Sequence, residues 1–249
     1  MIGLSKIMIP EGFDKASPRP GLTMLVARGL DATELASRIL TNPTVPPRYF
    51  GRTGLHAISL VGGDAVIRSY RHGGPFRLVT RGWFMARPPR PFAELTVTVA
   101  AKERGLATPD VLAALVSWGL GPWYRGWLVT RELAGAQDLW AWLRQDFAAE
   151  VKQILLQEVG RSLYFMHRSG IDHADLNLRN ILVRNGESSP EIYFIDFDRA
   201  RLFPGPVPGF RARQNVRRLS RSLNKLDPER LYVSTPDWNS LLDAYGFAG

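Results

Sequence analysis

In the run HADLNLRN, residues 173–180, Asp175 stands two positions after His173 and five before Asn180, and a second acid, Asp196, follows the apolar run 192–195. A carboxylate that orients a hydroxyl, with an amide oxygen and a second carboxylate for hard cations, is the donor set that phosphoryl transfer needs. Asp175 is the candidate base, and Asn180 and Asp196 are the candidate magnesium ligands. Strands are expected over 181–183 and 191–195, joined by a turn over 184–190. Paired as a hairpin, they bring Asn180 and Asp196 to one end.

HADLNLRN and IDFD resemble the catalytic and metal-binding loops of the protein-kinase superfamily, whose usual forms are H-R-D-x-x-x-x-N and D-F-G. Taken with RSYRHGG and RPFAEL upstream, HADLNLRNILV and DFDRAR resemble the lipopolysaccharide kinase family, in the branch acting on 3-deoxy-manno-octulosonic acid (Kdo); the resemblance spans 48–226. It implies an α+β, bilobal protein-kinase-like fold with a small, mainly β N-lobe and a larger, mainly α C-lobe. It also implies ATP and Mg2+ as cofactors. The implied acceptor is a Kdo hydroxyl, the 4-hydroxyl, on a lipid A precursor. The implied location is peripheral, on the cytoplasmic face of the inner membrane. Alternatives are a core heptose, a small molecule or a protein hydroxyl, and a pseudokinase scaffold. Asn177 stands where Ser/Thr protein kinases carry lysine, which weighs against a protein acceptor. The retained Asp175, Asn180 and Asp196 weigh against the scaffold.

The elements that must position these residues are read from composition and pattern. With 249 residues and 45% hydrophobic content the chain is long enough for a substantial core. It contains no cysteine, which excludes disulfides and thiolate metal sites. No apolar run reaches the length of a membrane span, and the first residues lack a signal-peptide pattern. The net charge of +9 points to an anionic partner, and an anionic membrane surface fits. No finger, helix-turn-helix or aromatic RNA-binding motif is visible, so no nucleic acid is expected. Of the 32 basic residues 27 are arginine, a bias that fits phosphate and carboxylate recognition and equally fits genomic base composition.

Three segments are expected: an extension over 1–44 packing on the small lobe, an N-lobe over 45–131 and a C-lobe over 132–249. The extension holds one helix over 31–40, capped by Asp31 or Thr33. In the N-lobe, Gly51 and Gly54 are the candidate nucleotide-covering turn. A hairpin follows over 55–70, with Arg68 in the place of the phosphate-contacting lysine of kinases, a departure the family resemblance accommodates. Arg71 opens a basic run that is either an anion-binding flap or a solvated loop. A helix over 91–104 is expected from the resemblance, with Glu94 pairing with Arg68, although the alternating Leu95-Thr-Val-Thr-Val99 has strand propensity. Strands are expected after Pro109 and over 127–131, and the nucleotide hinge over 132–135.

In the C-lobe, Asp138 caps a helix over 139–143, and a longer helix over 147–167 places Val151, Ile154, Leu155, Val159, Leu163 and Met166 at core spacing, with His167 as an end cap. Trp140 and Trp142 are expected in the core. After Asp196, the polar residues Asp198 and Arg199, with Asn177 and Arg71, are candidates for substrate contact. Pro204, Pro206 and Pro208 make a connection too short for a regulated activation segment. The last expected helix, 211–226, places Val216, Leu219, Leu223 and Leu226 toward the core and leaves a basic face, with Arg213, Arg217, Arg218 and Arg221, available to an anionic membrane.

Overall fold

The short, glycine-punctuated runs of the first half fold as antiparallel strands. The computed structural model describes residues 8–41, 55–70, 83–85, 88–186 and 189–246. It divides into one unit of Met1–Ala100 with Pro109–Glu132 and a second of Ala101–Thr108 with Leu133–Gly249. An antiparallel sheet dominates the first and helices the second, which is the α+β class expected.

The first unit is built on β1 (Phe13–Ala16), β2 (Leu22–Ala27), β3 (Leu55–Leu60), β4 (Gly63–Ser69), β5 (Val111–Trp118) and β6 (Tyr124–Arg131). Their order is β1-β2-β5-β6-β4-β3, so residues 13–27 supply two of its six strands. Alternation puts Met24, Val26, Ile67, Leu115 and Val129 on one face, where helix α1 (Ala32–Leu40) adds Leu35 and Ile39. Leu25, Ala114, Val116 and Leu128 face the other way, against Phe92 and Leu95 of α2 (Arg90–Glu103). Asp31 caps α1 by accepting from the Thr33 and Glu34 amides.

Helix α2 forms despite its β-branched run. Thr96 and Thr98 donate to the carbonyls four residues back, Phe92 and Glu94, so their hydroxyls are satisfied within the helix. Phe92 and Leu95, three apart, are buried against the sheet, and packing overrides propensity.

The second unit holds α3 (Leu139–Leu143), α4 (Ala149–Arg168), α5 (Gly209–Leu226) and α6 (Thr235–Tyr245). Its strands are β7 (Gln137–Asp138), β8 (Ile171–Asp172), β9 (Ile181–Asn185), β10 (Pro190–Phe194) and β11 (Arg201–Leu202). The expected hairpin is β9–β10, in register from Pro190↔Asn185 to Phe194↔Ile181. Asp138 caps α3 through the Ala141 amide, and Trp140 and Trp142 are buried.

The core stripe of α4 differs from expectation at its start. Val151 and Ile154 are 42% and 51% exposed, while Leu155, Leu156, Val159, Gly160, Leu163, Met166 and His167 are buried. The helix begins at Ala149, two residues later than expected, and its first turns present these side chains to solvent; the buried stripe lies further along, where α6 packs against it. A Cβ on Gly160 would lie 2.3 Å from the Leu241 carbonyl oxygen, so glycine permits this approach. Helix α6 was not anticipated, although Ser234 and Asp237 form a reciprocal capping box and Gly246 closes the helix with φ 86°.

Candidate active site

The catalytic-loop candidates sit between β8 and β9. Leu176 and Leu178 are buried and pin the loop, while Asp175 between His173 and Leu176 is exposed. Ala174 before it has φ 56°, a left-handed conformation rare for residues with a Cβ, and the Asp175 amide donates to the His173 carbonyl at 2.7 Å. The Asp175 carbonyl accepts from the side-chain amides of Asn177 and Asn180, both at 3.0 Å. Asn177 also caps the short 3-10 turn Leu178–Asn180 by accepting from the Arg179 amide.

The second arm ends at Asp196. The Ile195 amide donates to the Asn180 carbonyl at 3.0 Å, one step beyond the last β9–β10 pair, so the hairpin sets Asn180 and Asp196 beside each other. Asp196 has φ 69°, a region that aspartate and asparagine tolerate better than most residues. Phe197 is buried with its ring 5.0 Å from that of His173. Asp198 is half-buried and Arg199 exposed, on the turn closed by the Ala200 amide and the Phe197 carbonyl.

His173 joins the two arms. Its Nε2–H donates to the Ile195 carbonyl at 2.9 Å, which fixes the tautomer because a carbonyl only accepts. Complete burial pushes its pKa below the ordinary value; the Ile195 bond and the nearby Asp196 and Asp175 carboxylates pull the other way. The ring is neutral.

A buried network that sequence reasoning missed supports the loop from below. Asn215 of α5 donates from Nδ2 to Asp172 at 2.8 Å and to His167 Nε2 at 3.1 Å. Its Oδ1 accepts from the Ala174 amide at 3.2 Å and from Arg218 at 3.4 Å. His167 donates from Nδ1 to the Tyr245 hydroxyl at 2.8 Å; it is a buried strut rather than a helix cap. Burial lowers its pKa to about 4, with Asp172 opposing that shift. Ser222 of α5 accepts from the Leu178 amide at 3.3 Å. The signal available in sequence was Asn215 itself, a polar residue on the same helical face as Ala212, Val216 and Leu219.

In the first unit, Arg68 on β4 forms an ion pair with the buried Glu94 of α2, and Tyr70 donates its hydroxyl to the same carboxylate. The Arg68 guanidinium also lies 4.8 Å from the Tyr70 ring centre. The expected Arg68–Glu94 pairing is therefore present. Gly51, Gly54 and Arg71 lie outside the described residues.

Among the described residues no group of three or more His, Cys, Asp or Glu side chains gathers as a metal cage. Asn180 and Asp196 instead offer one amide oxygen and one carboxylate on adjoining arms. That suits magnesium, which commonly takes one or two protein oxygens and fills its octahedron with phosphate and water. The residues fit the ion.

The profile of the Lipopolysaccharide kinase (Kdo/WaaP) family matches residues 48–245. The 3-deoxy-D-manno-octulosonic acid kinase of Vibrio vulnificus (strain CMCP6) is 33% identical over 186 residues, covering 73% of this chain and 74% of its own. That of Xylella fastidiosa (strain M23) is 34% identical over 192 residues, covering 75% and 72%. Among solved structures, WaaP in complex with acyl carrier protein aligns with a TM-score of 0.58 at 19% identity, covering 88% of this chain and 83% of that one. The Rio2 kinase–ADP/Mg2+–phosphoaspartate complex from Chaetomium thermophilum aligns with a TM-score of 0.53 at 17% identity, covering 88% and 66%. These two carry the fold alone. With the profile matched over most of its length and relatives at this identity, the chain belongs to the lipopolysaccharide kinase (Kdo/WaaP) family of ATP-dependent phosphotransferases.

Proposed function

We propose that the chain phosphorylates a hydroxyl of Kdo, the 4-hydroxyl, on a lipid A precursor, using magnesium-ATP. The supporting observation is the exposed Asp175 carboxylate on a loop whose backbone is tied to Asn180 and, through Asn180 and Ile195, to Asp196. The names of the 33–34% identical relatives support the acceptor.

Asp175 accepts a hydrogen bond from the acceptor hydroxyl and orients its oxygen for attack on the γ-phosphorus. Its carboxylate takes the proton as the new P–O bond forms and the bond to the β-phosphate oxygen breaks. Asn180 and Asp196 hold magnesium. When bound, that ion neutralises charge on the β- and γ-phosphates. Arg68, braced by Glu94, supplies a planar cation to the phosphates in place of lysine. Asn177, Asp198 and Arg199 lie on the two arms flanking Asp175 and Asp196, and we assign them to polar contacts with the acceptor. In this reading the 45–131 segment is the nucleotide lobe, and Gly51 and Gly54 are assigned to the nucleotide and Arg71 to the acceptor. The 132–249 segment is the catalytic lobe, and 1–44 an extension on the first. The chain works as a peripheral protein at the cytoplasmic face of the inner membrane, drawn there by its +9 charge; among the described residues no helix is long and apolar enough to cross a membrane.

The test is transfer of labelled γ-phosphate from ATP to Kdo-bearing lipid A precursor, beside the same lipid lacking Kdo. Label is expected on the Kdo lipid alone, and Asp175→Ala should reduce the rate by about 10²–10⁴-fold, the usual range for a general base, while ATP still binds. Equal labelling of both lipids would refute the acceptor. Near-normal transfer by the variant would refute the base.

A further inference from the structure

Helix α5 carries six cations and no acid: Arg211, Arg213, Arg217, Arg218, Arg221 and Lys225. Two have inward partners, Arg211 with Asp172 and Arg218 with the Asn215 amide oxygen, both at 3.4 Å. The other four, Arg213, Arg217, Arg221 and Lys225, are spaced four residues apart and all are exposed. At 1.5 Å per residue they form a ridge about 18 Å long. Among the described residues none of the four is in a salt bridge. Like charges four apart on a helix repel, so the spacing of the ridge works against the stability of α5 rather than for it.

The opposite face of the same helix holds the catalytic loop. Asn215, which binds the Ala174 amide, lies about 160–200° around the helix from Arg213 and Arg217 at 100° per residue. One rigid element thus joins the Asp175 loop to a row of cations. Phe210, 54% exposed, lies about 20° from Arg217 on the helical wheel, seven residues earlier.

We infer that this ridge is the surface by which the chain rests on an anionic lipid bilayer; the inference rests on the membrane reading above and names the residues that carry it. Diffuse, evenly spaced cations match a headgroup plane, where each raises binding roughly fivefold. Phe210 adds an exposed apolar ring at the end of the row, a side chain of the kind that inserts at the headgroup–acyl boundary. A folded acidic protein would require a desolvated apolar centre inside a polar rim. Here the exposed neighbours of the ridge are the polar Gln214 and Asn224 and the single ring of Phe210, too little apolar surface for such a centre. Seated this way, α5 would hold the Asp175 loop about one helix width, on the order of 10–12 Å, above the headgroups.

The test is co-sedimentation with phosphatidylcholine vesicles, with and without phosphatidylglycerol. The full chain is compared with Arg213→Gln/Arg217→Gln/Arg221→Gln and with the corresponding triple lysine variant. The wild type should bind only the anionic vesicles, more weakly as salt rises. The glutamine variant should bind roughly a hundredfold more weakly, three fivefold steps, and the lysine variant should retain binding because charge is kept. Phosphate transfer to Kdo lipid in detergent should be equal in all three. If the wild type ignores anionic vesicles yet transfers phosphate, the ridge and the membrane reading fall together and the kinase reading stands. If the glutamine variant binds as the wild type does, the ridge falls and the membrane reading stands. Loss of binding in the lysine variant would also overturn the proposal, pointing to arginine-specific recognition of a defined partner.

Discussion

Asp196 is held at φ 69°, where asparagine substitutes with little backbone cost and alanine adds strain. Asp196→Asn therefore separates charge from conformation. It is expected to keep the fold, to raise the magnesium concentration needed for half-maximal transfer by tenfold or more, and to lower kcat. A magnesium titration matching the wild type would remove Asp196 from the metal site. His173 shows how little of the loop motif is chemistry. Its Nε2–H donates to the Ile195 carbonyl, so it fastens the arm that carries Asp196 to the arm that carries Asp175.

At the scale of elements, α5 and α6 reach the loop through buried polar groups, and the helix contacts can be tested directly. Gly160→Ala places a methyl group 2.3 Å from the Leu241 carbonyl oxygen, a backbone atom that cannot rotate away. A loss of about 1–3 kcal/mol is expected, typical of overpacking; an unchanged thermal midpoint would contradict the α4–α6 contact. His167 gives a pH dependence. Its folded pKa of about 4 lies below the ordinary 6.5, so between those values the unfolded chain binds more protons and stability falls as the solution is acidified. That shift corresponds to roughly 2 kcal/mol lost between about pH 7 and pH 5. Urea unfolding of His167→Gln should show a smaller loss over the same range, and an equal loss would assign the dependence elsewhere.

For the whole molecule, the expected consequence is linkage between nucleotide, metal and stability. Saturating magnesium-ATP at about 100 times its dissociation constant adds roughly 2.7 kcal/mol. It should raise the thermal midpoint, whereas ATP with a chelator should raise it much less. Equal shifts would remove magnesium from the reading.

The sequence by itself determined the α+β class, the β9–β10 hairpin and the catalytic-loop candidates. Local rules suffice for the hairpin and the candidates, through turn residues and a motif whose members lie within 24 residues, from His173 to Asp196, and the resemblance those motifs carry implied the α+β class. It also carried the capping box of α6 and the odd polar residue Asn215, signals that were present and not read. That Leu95–Val99 is helical was implied only by the family resemblance, against propensity; the tertiary structure supplies the physical reason, because burial of Phe92 and Leu95 against a sheet outweighs β propensity. It alone exposed Val151 and Ile154, since periodicity fixes a face of a helix and says nothing of where its neighbours begin. It also joined His167, Asp172, Asn215 and Tyr245. Those four are spread over 79 residues of chain, and hydrogen bonds at that separation depend on how the helices pack, which no local pattern records.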